Sequence, residues 1–206
     1  STLPASWDDE VTYKINSMAK DDLGGEETPG ATQDFTWDST EPDSNITTPG
    51  WNDILPSLDL IEGTSWDVGT AGKISGVSAG NIDICIQYID DGGTTYYWQV
   101  TPSTGWVTDE KWLGTSGLPW QFDSSLVAWE NSTQYKIRAM ATDNTGNTDS
   151  APLPYTQFIY DTEPPSAGIS TPTASGFYRV LDEIRGTATD NEKITGVLLL
   201  SLIHIS

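Results

Sequence analysis

Histidine, cysteine and basic residues are scarce in this chain of 206 residues: it has 1 His, 1 Cys and 9 Lys plus Arg, against 30 Asp plus Glu. A single cysteine excludes an internal disulfide framework. The net charge of −21 argues against a nucleic-acid binder, which needs a basic face to displace counterions from phosphates. It argues equally against a polybasic membrane-surface module. No apolar run approaches the roughly 20 residues that a spanning helix needs, and no stretch reads as a signal peptide. What is abundant is aromatic: 9 Trp, with aromatics at 10% of the chain. That is too much for an acidic disordered tail, so the chain is expected to fold. Its length allows one or two domains.

The sequence repeats itself. Tyr13-Lys-Ile-Asn-Ser-Met-Ala-Lys-Asp-Asp-Leu-Gly24 returns 122 positions later as Tyr135-Lys-Ile-Arg-Ala-Met-Ala-Thr-Asp-Asn-Thr-Gly146, and Trp7 returns as Trp129. At an offset of 123, Trp37-Asp38 returns as Tyr160-Asp161, Leu58-Asp59 as Leu181-Asp182, Gly63-Thr64 as Gly186-Thr187, and Asp67 as Asp190. Ile74, Gly76 and Val77 return as Ile194, Gly196 and Val197 after a three-residue slip. This is the pattern of a tandem array seen through a window cut out of phase. Residues 1–37 are expected to be the tail of one unit, 38–160 one complete unit, and 161–199 the head of a third. A unit of that length suits one sandwich domain better than a short solenoid repeat.

Within a unit the hydrophobic period is two. Ile82, Ile84, Ile86 and Tyr88 share one face while Asp83, Cys85 and Gln87 share the other, and Tyr135, Ile137 and Ala139 alternate with Lys136, Arg138 and Met140. Asp90-Asp-Gly-Gly93 and Asp143-Asn-Thr-Gly146 read as turns. The expected strands of the middle unit are 44–48, 58–65, 74–78, 82–89, 95–101, 124–129, 133–142 and 155–160. Short strands between Gly/Pro turns, with no helical stripe, predict an all-β antiparallel sandwich.

Three stretches carry a family resemblance: Tyr135 to Asn147, Tyr160-Asp-Thr-Glu-Pro-Pro-Ser166, and Ile184-Arg-Gly-Thr-Ala-Thr-Asp-Asn191. Together they resemble the bacterial immunoglobulin-like repeats of large secreted or surface proteins. Around Tyr135 the chain is also similar to fibronectin type III domains. The resemblance covers most of 1–199 and departs from the family in the Trp-rich stretch 98–129. It implies an immunoglobulin-like fold and a non-catalytic extracellular spacer, stalk or adhesion module, whose partners are neighbouring repeats in the same chain, or a surface glycan or protein. Residues 200–206 resemble something different, the translation of a transposon-end adapter used in preparing sequencing libraries. They are set aside from fold reasoning, and with them His204, the one histidine.

Candidate chemistry is sparse. Gly76-Val-Ser-Ala-Gly80 fits the nucleophile-elbow pattern, but that elbow needs a strand-to-helix turn and a histidine base. Abundant carboxylates leave a glycosidase pair open on composition alone, with nothing to mark an acid and a nucleophile. Cys85 has no partner Cys or His and is given no role. No enzyme is expected. Acidic residues recur at matching turns: Asp38 with Asp161, Asp21 with Asp143, Asp67 with Asp190. In a sandwich of this topology Asp38 and Glu41 in the linker, Asp67 in one loop, and Asp143 and Asn144 in another converge at one inter-domain end. Their hard oxygens could bind Ca²⁺, which takes 6–8 such ligands; the alternative is that they form turns by bonding their own backbone. Trp98, Trp106, Trp112 and Trp120 form the second candidate. An exposed row of them would make a carbohydrate-binding accessory module, and a buried set would be core.

Overall fold

The computed structural model describes residues 6–28 and 30–199. The adapter-like segment 200–206 lies outside them. Among the described residues there is no helix, and so none long and apolar enough to cross a membrane. The protein is an all-β sandwich of mostly antiparallel strands flanked by two hairpins.

The first hairpin pairs β1 (Thr12–Ser17) with β2 (Ala31–Thr36). The sandwich follows: β3 (Asp43–Thr48), β4 (Asp53–Leu55), β5 (Leu60–Trp66), β6 (Val77–Ile89), β7 (Thr95–Gln99), β8 (Gly105–Val107), β9 (Leu113–Gly114), β10 (Trp120–Asp123), β11 (Thr133–Asp143) and β12 (Tyr155–Tyr160). The second hairpin is β13 (Ser166–Thr171) with β14 (Arg185–Thr189). One sheet of the sandwich has the order β10-β5-β3; the other runs β4-β12-β11-β6-β7-β8, with β9 beside β6 and β4 parallel to β12.

The alternation read from the sequence is what builds the core. On β11, Tyr135, Ile137, Ala139 and Ala141 are fully buried while the residues between them are not. Ile82, Ile84 and Ile86 of β6 meet them on the same sheet, and Ile61 and Trp120 close over them from the three-stranded sheet. The Tyr135 hydroxyl accepts the Glu130 N–H at 2.7 Å, a tyrosine corner; burial pushes its pKa up to about 12.

Three expected strands differ. Of the expected 74–78 only Val77 and Ser78 are strand, and they run on into 82–89 as one long β6, because Gly80 takes φ 90° and lets the strand bend without ending. The expected strand 124–129 is instead a loop, and 120–123 is the strand. Ser124 ends it by donating its N–H to the Asp59 carbonyl and its hydroxyl to that of Leu58.

Residues 122 or 123 positions apart share geometry as well as identity. Asp8 N–H bonds the Tyr13 hydroxyl at 2.7 Å, as Glu130 does for Tyr135. Glu10 and Ser132 both take φ 57°. The ring stack of Tyr13 on Phe35 and that of Tyr135 on Phe158 both span 5.5 Å. β13 pairs β14 with Ile169 opposite Gly186, as β3 pairs β5 with Ile46 opposite Gly63, and a register slip follows in both.

Candidate metal centre

Three loops meet at one end of the sandwich. Asp38 precedes β3, Asp67 follows β5 and Asp143 ends β11. One carboxylate oxygen from each lies within 4.8 Å of the other two. The segment Ser75-Gly76, just before β6, ties Asp38 to Asp67. Its two backbone N–H groups donate to Asp38 Oδ2 and Asp67 Oδ2, both at 2.5 Å. Gly76 stands at φ 82°, where a side chain would be strained. Asp143 works as a turn former too: its Oδ1 accepts the N–H groups of Thr145, Gly146 and Asn147. Burial pushes the Asp143 carboxyl up, but the bonds from Asn147 and Thr145 outweigh it and hold the pKa below its ordinary value.

The electrostatics leave something uncompensated. Asp38 and Asp143 are buried, and among the described residues no Lys or Arg pairs with any of the three. Asp67 Oδ1 is a buried atom with no hydrogen-bond donor. At this separation two unit charges repel by roughly 3 kcal/mol at an effective dielectric constant of about 20. Calcium–oxygen bonds of about 2.3–2.6 Å place two ligands of one ion no more than about 5 Å apart, so the three oxygens fit a single hard cation. With neither His nor Cys in the set, softer transition metals are a poor match.

Two other residues expected here are used differently. The Asn144 amide donates to the Ser75 carbonyl and accepts from the Ser78 hydroxyl, so it braces the start of β6. That bond also employs Ser78, the central residue of the elbow-like motif. Glu41 is exposed and outside the trio; its charge is felt by Asp149.

The sequence reading missed two acidic residues of the preceding segment. Asp9 Oδ1 accepts the N–H and hydroxyl of Ser39, and Glu10 Oε1 accepts the N–H of Thr70. A signal was present for Asp9, since Asn131 stands 122 positions on. Its Oδ1 accepts the N–H and hydroxyl of Thr162 in the same way.

Asp149 was also missed. Only 9% exposed, it accepts the Ser44 hydroxyl and the Ala141 N–H through Oδ2 and so ties β3 to β11, while its Oδ1 has no partner. Burial, with Asp43 and Glu41 adding to it, raises its pKa against the bonds from Ser44 and Ala141. A folded-state pKa above the ordinary 3.8 means that the folded chain holds the proton more tightly. The stabilising contribution is then complete below that value and lost as pH rises through the folded pKa. Asp149→Asn keeps an oxygen for Ser44 and Ala141 and removes the charge. It is expected to be more stable than wild type at neutral pH, with the advantage vanishing in acid. Thermal melts at stepped pH check this, and a variant less stable at neutral pH overturns it.

The tryptophan row does not form. Trp98 is 2% exposed and Trp120 is 0% exposed, both in the core. Trp106 packs on the core, stacked on Tyr135 at 5.6 Å with its Nε1 donating to the Ala128 carbonyl. Trp112 is half-buried beneath the Arg138 guanidinium at 5.2 Å. The reason is coverage: a three-stranded sheet is too narrow for the wider sheet opposite, so Trp120 extends the cover from β10 of the narrow sheet while Trp98 and Trp106 fill in from β7 and β8 of the wide one. Cys85 likewise has a basic neighbour that the sequence hid. Arg138 Nη2 lies 3.2 Å from its sulfur, with Glu110 bonding that same nitrogen at 2.9 Å. Burial nonetheless pushes the thiol pKa up, so Cys85 is a covered core-flanking thiol.

No protein-family model matches the chain, and no curated protein matches it.

Proposed function

We propose that the chain is a window on a tandem array of immunoglobulin-like sandwich units, working outside the cell as a non-catalytic spacer or adhesion module. The observation that carries this is the repeated junction. An oxygen of Asp9 holds Ser39, and an oxygen of Asn131 holds Thr162, through the same pair of donors. Fixed bonds at successive joints suit a spacer, which must hold its units in a constant relation. The acidic trio at the first joint supports a second element: Asp38, Asp67 and Asp143 bind Ca²⁺ and stiffen the joint, with the orphaned Asp67 oxygen as a ligand. The carbohydrate-binding alternative rested on an exposed Trp row, and the burial of that row leaves it without support.

Small-angle X-ray scattering of the chain tests the spacer. A compact globule of this length has a radius of gyration of about 17 Å. An in-line array is expected to exceed that clearly and to give an elongated distance distribution. A value at the globular figure overturns the proposal.

A further inference from the structure

We infer that the outer face of the wider sheet carries a binding site for an acidic polysaccharide, built from Trp51, Tyr155 and Lys136. The site lies on the side of the complete unit, apart from the buried Trp row. The bonds that tie on the adjoining segments are elsewhere, at Ser39 and Thr70 on one end and at Asn131 and Ser132 on the other. The site is recognised through the positional equivalence behind the proposed array and is independent of calcium.

The first hairpin serves as an internal reference. Lys136 on β11 corresponds to Lys14 on β1, and Gln157 on β12 to Asp34 on β2. Each lysine stands directly opposite its partner in register. Lys14 faces an acid, and its Nζ lies 3.8 Å from Asp34. Lys136 faces an amide instead, and on its other side β6 places a second amide, Gln87, opposite it. Tyr135 points into the core, so Lys136 points out, and its directly opposed neighbours share that face. Among the described residues Lys136 forms no salt bridge. In a chain with 30 acidic residues, this ammonium stands between two neutral side chains.

Two rings are added at the same spot. Tyr155 stands where the first hairpin has Thr32, and its ring lies 3.8 Å from the Lys136 ammonium. Trp51 stands where the second hairpin has Ala174. The residues that follow, Asn52 and Ser175, share a left-handed φ of 60° and 57°, which supports that equivalence. Trp51 meets Tyr155 edge to face, with 5.1 Å between centroids. Rings that recur in the repeat, such as those at Tyr135 and Trp129, pack in the core. Trp51 and Tyr155 do not recur, and they are 54% and 45% exposed. The repeated fold therefore does not require them, and exposed apolar surface rimmed by polar groups marks a contact site.

The chemistry selects the occupant. An indole face packs against the apolar C–H face of a sugar ring. Beside it the Gln157 and Asn52 amides bond each other at 2.7 Å. One amide oxygen and one amide N–H are left over for hydroxyl groups, which donate and accept. The Asp53 carboxylate of the same turn is engaged by the Gly50 N–H. The Lys136 ammonium is left to pair with a carboxylate of the ligand through a charge-assisted bond. Indole and ammonium adjoin one Tyr155 ring, so one sugar, or two linked ones, touch both. A uronic acid supplies the C–H face, the hydroxyls and the carboxylate together. The net charge of −21 repels a polyanion from afar. At roughly 0.15 M salt charges are screened beyond about 8 Å, so the adjacent ammonium dominates.

Affinity electrophoresis of the full chain, in EDTA so that calcium bridges nothing, is the test. The probes are three uronate polymers, namely polygalacturonate, alginate and hyaluronate, with methyl-esterified polygalacturonate and polyglutamate for comparison. At least one uronate polymer is expected to retard the chain, the ester less than the acid, and polyglutamate not at all. Trp51→Ala is expected to weaken the retardation by roughly tenfold or more. Lys136→Gln is expected to bring binding of the acid down to that of the ester. Trp66→Ala, at an indole that is 48% exposed elsewhere, is the control and is expected to bind as wild type. All three variants are expected to melt as wild type, since none removes a core side chain. No retardation by any of the three polymers overturns the inference, as does a Trp51→Ala chain that binds like wild type. Equal retardation by acid and ester, or by polyglutamate and uronate, overturns it too. Scattering without polymer reads the array geometry separately, so an elongated chain that binds none of the probes overturns this site alone.

Discussion

Gly63→Ala is expected to lower the thermal midpoint of the central sandwich by roughly 10 °C or more, an outsized effect for one methyl group. A Cβ at Gly63 would stand 2.0 Å from Trp120 Cζ2 and 2.2 Å from the Asn45 carbonyl oxygen. Glycine weakens a strand interior through its backbone entropy, and here it marks the close approach of a ring to the backbone. The indole of Trp120 lies over that gap and is 0% exposed. Overpacking a filled core typically costs about 1–3 kcal/mol and occasionally more. The upper end applies because one of the two obstructing groups is backbone. For that reason Gly63→Ala combined with Trp120→Phe is expected to remain destabilised: a smaller ring clears Cζ2 and leaves the Asn45 carbonyl in place. Gly114→Ala is the control, since its nearest neighbour would be an Asp83 carboxylate oxygen at 3.8 Å. Near-ultraviolet circular dichroism melts of the three variants decide it; a Gly63→Ala midpoint equal to that of Gly114→Ala overturns the packing account.

The same residues show which parts of the fold were legible in sequence. Alternation exposed β6 and β11 because each has one face in a continuous core, so burial and sequence share a period of two. The turns at Asp90 and Asp143 were legible because the residues that form them act locally: the Asp90 and Asp143 side chains bond N–H groups two to four positions on. The meeting of Asp38, Asp67 and Asp143 was legible through topology, since the repeat singled out acidic positions in loops at one end. Other features depended on contacts between distant segments, which no local pattern reports. The role of Gly63 as a socket required knowing that Trp120, 57 positions on, lies across from it. The strand 120–123 was displaced by the anchoring of Ser124 on Leu58 and Asp59. The Trp cluster was left open between core and exposed row for a related reason: composition reveals that four indoles are close in sequence, whereas burial depends on how the two sheets pack.

Calcium is expected to raise the melting temperature of the chain and to bind at one ion per chain by calorimetry. The stoichiometry follows from position. Asp38, Asp67 and Asp143 form one complete set, while their counterparts Asp161 and Asp190 have no third carboxylate grouped with them among the described residues. An ion that binds only the folded state stabilises by about 2.7 kcal/mol at a hundred times its Kd. Asp67→Asn isolates the effect, because the unpartnered Oδ1 of Asp67 has no structural bond to lose. In EDTA this variant is expected to melt above wild type, since it removes one of the mutually repelling charges, each pair worth roughly 3 kcal/mol at an effective dielectric constant of about 20. In calcium the order reverses, because the wild type gains the ion and the variant does not. Asp143 behaves differently. Its pKa is held below 3.8 in the folded state, so its contribution is present above that value and lost as pH falls through the folded pKa. Acid is therefore expected to release the ion and loosen the Asp143 turn together. A wild-type midpoint that moves neither with excess EDTA nor with added calcium would leave the three carboxylates as turn formers that tolerate their repulsion. A midpoint that moves in wild type and not in Asp67→Asn would make the junction a calcium-tightened joint.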